Sequence, residues 1–444
     1  MPDTLISSFE QRILERQLLP LASPWAGEVV YPQYDGLSIR NLPHTVMRLL
    51  NGNTQNGGPG SLNPQNGTLG SAPLDSTLWR PYTGRVKRVV LFITDGLGWQ
   101  LLQEIAATDP SFAQVIADLT GDGTLTPLTS IAPTTTASAL PTIWCGATPI
   151  ATGLLGTQLF LREYSTLASM LHFAPVAGKH RADALEDWGL DLTTLLPQKT
   201  LSEALRQHRI PSYLLLQKDM IGSGLSRVMH RGVENVIRHV GYTDLWINLR
   251  DLLRETRRQR CFINVYWAAV DMVSHIYGTA AEQVMVEIGR QLADLRDVLC
   301  AGDAADGQTL FMLVADHGHS PITEYVNIYD HAPLSEALRC GLGGQARLAN
   351  LYLREGYREQ VEDYFRERLP DQFITVRPAD AQAAGLFGTE TPHPEAGARM
   401  GDLIVIAREG FALTEKRPGA MASVSRHGGL SAREMIVPLL MRTL

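Results

Sequence analysis

Three times in this chain an apolar run stops at an aspartate. The first is V-V-L-F-I-T-D-G-L-G, from Val89 to Gly98, with Asp95 after five apolar residues and before two glycines. The second, Cys261–Ala269, runs into Asp271-Met272-Val273-Ser274-His275. The third, Leu310–Val314, runs into Asp316-His317-Gly318-His319. A short apolar run closed by turn residues is the pattern of a strand buried on both faces. Helical patterns follow the first two runs, at Trp99–Ala107 and Gln283–Leu299. Strands alternating with helices predict an α/β fold, with a mostly parallel central sheet flanked by helices. Such sheets bind ligands outside the carboxyl ends of their strands. The three aspartates are therefore expected on one working edge, where Gly96 and Gly98 let the backbone turn sharply.

Composition narrows the function classes. The chain has 444 residues, 44% hydrophobic and 19% charged, which suits a globular protein of one large or two to three ordinary domains. Its net charge of -7 argues against a general nucleic-acid surface and leaves room for a small anionic substrate held through metal. Cys145, Cys261, Cys300 and Cys340 are scattered, with no C-x-x-C pair, and read as reduced thiols of a cytoplasmic protein. Met1–Leu21 has no basic and apolar signal pattern, and no apolar run approaches the ~20 residues of a membrane span.

Four segments are expected. Residues 1–85 form a helical and irregular segment, with an Asn/Gly/Pro-rich loop at 51–73. Residues 86–320 form the catalytic core, within which 160–260 contributes part of a lid. Residues 321–400 form a small α+β insertion, and 401–444 return to the core through Asp402–Ile406 and an apolar strand at Met435–Met441.

The candidate ligands are Asp95, Asp271, His275, Asp316, His317 and His427, the last in a Gly-flanked turn. Carboxylate and imidazole together are the ligands of zinc and manganese. Six suffice for two ions with three ligands each, and a threonine hydroxyl can complete one set. Asp271 and His275 are four apart, so a helical turn puts both on one side. Asp316 and His317 share an ion only if the strand has ended, which Gly318 permits. Thr134–Thr136, after Pro133, suit a helix N-terminus with threonine as cap. Each feature alone has a simpler reading: a turn aspartate, a surface i, i+4 pair, a loop histidine, a cap. Their recurrence at strand ends of one sheet favours a site. His319 reads at best as a supporting group, and His172, His180, His230 and His331 as ordinary histidines. Trp99, Phe160 and Tyr164 could stack on a base, although packing is the commoner use of such residues.

The order of these elements resembles the alkaline phosphatase superfamily, above all its nucleotide pyrophosphatase/phosphodiesterase branch and the related PglZ-type domains. In those proteins a strand-end Asp is followed by P-x-x-T, then D-x-x-x-H, D-H-G and a final His. All five occur here in order, over roughly residues 86–444, with P-x-x-T at Pro133–Thr136. The chain departs where the family usually has Thr-Gly and this sequence has Cys145-Gly146. The resemblance implies one metal held by Asp271, His275 and His427. It implies a second held by Asp95, Asp316 and His317 and touching the nucleophile Thr136, with Thr135 as rival. It further implies a two-metal phosphodiesterase or nucleotide pyrophosphatase, using zinc or manganese on a small nucleotide-like phosphodiester. Two alternatives remain. One is a phosphomonoesterase or phosphoglycerate-mutase-like enzyme, although those mutases carry serine and a long insertion. The other is a PglZ-like module of a defence or signalling assembly with little turnover.

Overall fold

The computed structural model describes residues 3–18, 27–51, 72–415 and 423–444. The loop at 51–73 lies, apart from its ends, outside the described residues. The central sheet has seven strands: β1 (Arg88–Thr94), β2 (Gly123–Thr129), β3 (Ser212–Gln217), β4 (Asn235–His239), β5 (Cys261–Trp267), β6 (Thr309–Val314) and β7 (Ile436–Thr443). Their spatial order is β2-β7-β6-β1-β5-β3-β4. Pairing is parallel from β6 through β1, β5 and β3 to β4, while β7 runs antiparallel to both β2 and β6. The mostly parallel sheet read from the sequence is therefore the observed one.

The apolar runs explain the middle of this sheet. Every residue of β1 is buried, as is every residue of β6, because helices cover both faces. Phe92 of β1 stacks on Trp246 of the helix Tyr242–Glu255, with ring centroids 5.3 Å apart. Burying one such aromatic contributes about 1.5–3 kcal/mol relative to leaving it in water. Arg88 crosses this core, fully buried, and pairs with Asp306.

Two expectations change. Within 160–260, β3 and β4 extend the central sheet, so that part belongs to the core rather than to a lid. The return to the core does not begin at 401. Leu403–Ala407 pairs with Leu348–Leu351 and with Phe373–Val376, so it belongs to the second sheet. That sheet also takes in Gln158–Leu161, Thr166–Ser169 and Ala174–Pro175, through a contact between Gly344 and Gln158. Its strand Leu403–Ala407 is fully buried, which is why its apolar run reads like one from the central sheet. The N-terminal segment packs on the core: Leu37 O accepts from Thr129 N of β2, and Val30 N donates to Leu430 O beside His427.

Candidate active site

The strand ends converge as the apolar runs require. Asp95 follows β1 and Asp316 follows β6, while Asp271 and His275 lie on the helix Ala269–Tyr277 that follows β5. Backbone bonds tie β1 to β5 at this edge: Asp95 N donates to Trp267 O, and Asp271 N to Asp95 O. Gly96 sits at φ +83, and a Cβ there would lie 2.9 Å from the Asp271 Cα. That close approach admits only glycine.

The six sequence-predicted ligands come together in two groups, with Thr136 beside one of them. Asp271, His275 and His427 form one, joined by His319; Asp95, Asp316 and His317 form the other. Within each group the donor atoms lie within 4.8 Å of one another. The groups touch through the rings of His317 and His427, stacked with centroids 3.8 Å apart. Thr136 faces the second group, its Oγ1 3.2 Å from His317 Nε2 and 3.5 Å from Asp95 Oδ2.

The imidazole orientations suit metal. Nδ1 meets a backbone carbonyl in three cases: His275 on Ser425, His317 on Gly318 and His427 on Thr134. A carbonyl only accepts, so each Nδ1 carries the hydrogen and each neutral ring turns a bare Nε2 lone pair inward. Those lone pairs face carboxylate oxygens. His275 Nε2 is 3.3 Å and His427 Nε2 3.5 Å from Asp271 Oδ1; His317 Nε2 is 3.4 Å from Asp95 Oδ1. Acceptors aimed at acceptors need a proton or a cation between them. Asp95 Oδ1 and Asp316 Oδ2 are moreover buried without a hydrogen-bond partner among the described residues. The donor set therefore fits two divalent cations.

The charges agree. Burial, reinforced by neighbouring carboxylates, raises the Asp95 carboxyl well above its ordinary range and pushes Asp316 up to about 7. Burial also opposes the Asp271 charge, but the hydrogen bond and charge of His319 outweigh it and hold Asp271 low. Desolvation drops His275 to about 4 and His427 well below its usual range, so both stay neutral as ligands must be.

The three threonines divide the work. Thr134 Oγ1 accepts from Gly428 N and donates to Gly429 O, fixing the loop that carries His427. Thr135 is the N-cap of the helix Thr136–Cys145, yet its hydroxyl caps nothing and turns to Thr157 and Gln345. The expected cap bond is therefore not made. Thr136 alone of the three turns to the ligands.

His319 takes the supporting place the sequence allowed it, while other supporting residues escape sequence reasoning. His319 lies with Nε2 2.7 Å from Asp271 Oδ1 and Nδ1 3.0 Å from Ser425 Oγ. The D-H-G-H alternation was its signal. The Tyr266 hydroxyl donates to Asp95 Oδ2. Arg347, fully buried, pairs with buried Glu434, which in turn accepts from Gly429 N and the Ser431 hydroxyl. No spacing rule marks Tyr266, Gln345 or Arg347.

The model of the type I phosphodiesterase / nucleotide pyrophosphatase family matches residues 89–430. The chain belongs to that family. It is thus a hydrolase of phosphoester bonds, in a metal-dependent enzyme family. No curated protein matches it. Among solved structures, murine ectonucleotide pyrophosphatase/phosphodiesterase 5 is similar at 14% identity and a TM-score of 0.59, covering 79% of this chain and 87% of that one. The human counterpart is also 14% identical, with a TM-score of 0.57 and the same coverage. Phosphonoacetate hydrolase from Sinorhizobium meliloti, bound to phosphonoformate, is 15% identical at a TM-score of 0.59, covering 80% and 90%. At these identities the structural likeness speaks for the fold. The described residues contain no helix long and apolar enough to cross a membrane.

Proposed function

We propose that the protein is a two-metal phosphodiesterase or nucleotide pyrophosphatase whose nucleophile is Thr136. The observation that carries this reading is the Thr136 hydroxyl, set against His317 and Asp95 at the start of a helix, with a second Asp/His cluster adjoining. Asp95, Asp316 and His317 would hold one cation. Asp271, His275 and His427 would hold the other, with zinc the first choice and manganese suited to the same donors. Such ions acidify a hydroxyl and neutralise the charge that develops on a leaving oxygen. The chain itself supplies orientation. Thr136 Oγ loses its proton and forms a bond to phosphorus as the bond to the leaving oxygen breaks, that oxygen departing as an alcohol that takes up a proton. Water then cleaves the phosphothreonine to release the phosphate monoester and the free threonine hydroxyl. The helix Thr136–Cys145 points its positive end at the phosphoryl oxygens.

A nucleotide-like diester is the proposed substrate class. One related structure, the inactive T72A form of murine ectonucleotide pyrophosphatase/phosphodiesterase 5, was solved in complex with AMP. A reducing compartment is supported by four unpaired thiols. The test compares bis-p-nitrophenyl phosphate with p-nitrophenyl phosphate, on metal-loaded wild type, Thr136→Ala and Thr135→Ala. Diester turnover that needs metal and drops at least ~10³-fold in Thr136→Ala alone is expected, the scale of losing a nucleophile. Preference for the monoester overturns the diesterase reading, and turnover surviving Thr136→Ala overturns the nucleophile.

A further inference from the structure

The central sheet ends differently at its two edges. At β2 the N-terminal segment covers the edge: Thr129 N donates to Leu37 O, and Gln33 N donates to Thr129 Oγ1. At the opposite edge, among the described residues, β4 is paired on one side only, with β3. Glu234 N, just ahead of β4, donates to Ser212 O at the start of β3. Backbone groups alternate in direction along a strand, so Asn235, Ile237 and His239 turn N–H and C=O away from the sheet. Such a row is a template for another strand.

One face of this edge lacks cover as well. Val236 and Arg238 stand in register beside Leu214 and Leu216 of β3. Both leucines are buried, whereas Val236 is 45% exposed and Arg238 is exposed. The layer over β3 therefore stops short of β4. Glu234 falls on the same face and is exposed, and neither it nor Arg238 makes an ion pair among the described residues. Edge strands are commonly defended by charge. Here the two charges are opposite and stand symmetrically on either side of an apolar residue, a spacing that is self-complementary.

We infer that β4 pairs antiparallel with β4 of a second copy of this chain, about a two-fold axis through Val236. In that register Glu234 of each copy faces Arg238 of the other, and Val236 meets Val236. Asn235 of each copy exchanges backbone bonds with Ile237 of the other. An axis through Ile237 would set Glu234 against Val240 and Arg238 against Val236, and pair neither charge. The two central sheets become one continuous sheet. Antiparallel pairing points the carboxyl ends of the two sets of parallel strands in opposite directions, so the two candidate active sites open away from each other. Nothing in this pairing depends on Thr136.

Sedimentation velocity on the full chain, from about 1 to 200 µM, measures the association. One short strand a side lies at the small end of specific interfaces, so a dimer with Kd of about 1–100 µM is expected. Glu234→Arg and Arg238→Glu each set like charges against each other twice and should weaken the dimer at least ~10-fold. The double variant Glu234→Arg/Arg238→Glu restores opposite pairs and should return Kd to within about threefold of wild type. Both positions are exposed, so melting temperature and metal content should stay unchanged. Val236→Cys reads the axis. Facing residues at a non-hydrogen-bonded antiparallel position have Cα atoms about 4.5 Å apart, within disulfide range. Mild oxidation should therefore link the two introduced thiols in Val236→Cys and not in Val240→Cys. Wild type that stays monomeric at the highest concentration overturns the inference. So does a dimer indifferent to the single charge variants, or a double variant no tighter than the singles. Cross-linking through Val240→Cys without Val236→Cys overturns the register.

Discussion

Glu434→Gln is the substitution whose cost the structure sets most closely. Glu434 and Arg347 have no solvent-exposed side-chain surface. Arg347 Nε and Nη2 lie 2.6 and 2.8 Å from the two carboxylate oxygens, and Nη1 donates to the carbonyls of Arg408 and Phe411. Burial opposes the Glu434 charge, but Arg347 and the Ser431 and Gly429 donors outweigh it and leave the carboxyl below its ordinary range. Glutamine preserves the shape but removes the countercharge. A guanidinium stranded in the interior costs about 3–5 kcal/mol. A Coulomb estimate at an effective dielectric of about 20 and a charge separation of about 4 Å gives roughly 4 kcal/mol. Denaturant unfolding of wild type, Glu434→Gln, Arg347→Met and the double Arg347→Met/Glu434→Met variant measures this. The double variant should recover at least half of either single loss, because well-packed apolar side chains replace a buried pair at little cost. The loop carrying His427 hangs on Glu434 through Gly429, so Glu434→Gln should also bind zinc more weakly. A single-variant cost under about 1 kcal/mol, or a double variant no more stable than the singles, would refute the reasoning.

Other outcomes follow from the same geometry. In the metal-free protein Asp95 and Asp316 take up protons on folding, a contribution to stability that is lost as pH rises from about 4 through about 7. Lowered His275 and His427 release protons and contribute in the opposite sense up to about 6.5, so only the carboxyl protons remain for a metal to displace. The melting-temperature gain on adding zinc should therefore grow from pH 5 to pH 7.5, and calorimetry at pH 6 in buffers of different ionisation enthalpy should show net proton release; a pH-independent gain would contradict the assignment. His319→Ala removes the partner of Asp271 and should weaken metal binding by about 10–100-fold, read by competition with a chromogenic chelator. Tyr266→Phe unties Asp95 Oδ2 and should lower metal affinity at the Thr136 site more than at the other, visible as a split between the two binding steps.

The central sheet was legible because buried parallel strands write themselves as unbroken apolar runs. Asp95, Asp271 and Asp316 end those runs, so their meeting followed from topology alone. The boundary at 401 was misplaced for the same reason. Leu403–Ala407 is as buried in the second sheet as β1 is in the first, and an apolar run does not say which sheet it joins. A threonine cap is expected at Thr134–Thr136, and Thr135 does take the N-cap position without making the cap bond, because tertiary partners compete for its hydroxyl. Its hydroxyl answers instead to Thr157 and to Gln345, which is 210 residues away. Arg347 and Glu434 are 87 residues apart and follow no spacing rule, since only the finished fold makes them neighbours.

The position of β7 between β2 and β6 bears on how the protein is made. On the ribosome, β2 emerges early and waits for a neighbour that is translated only after the whole second sheet. Until Ile436–Thr443 has been threaded in, the nascent chain presents two unzipped strand edges. It also lacks His427 until the same late stretch is translated, so one cluster stays a ligand short. The Asp271 cluster thus completes its ligand set only at the end of synthesis, whereas Asp95, Asp316 and His317 have all been made more than a hundred residues earlier.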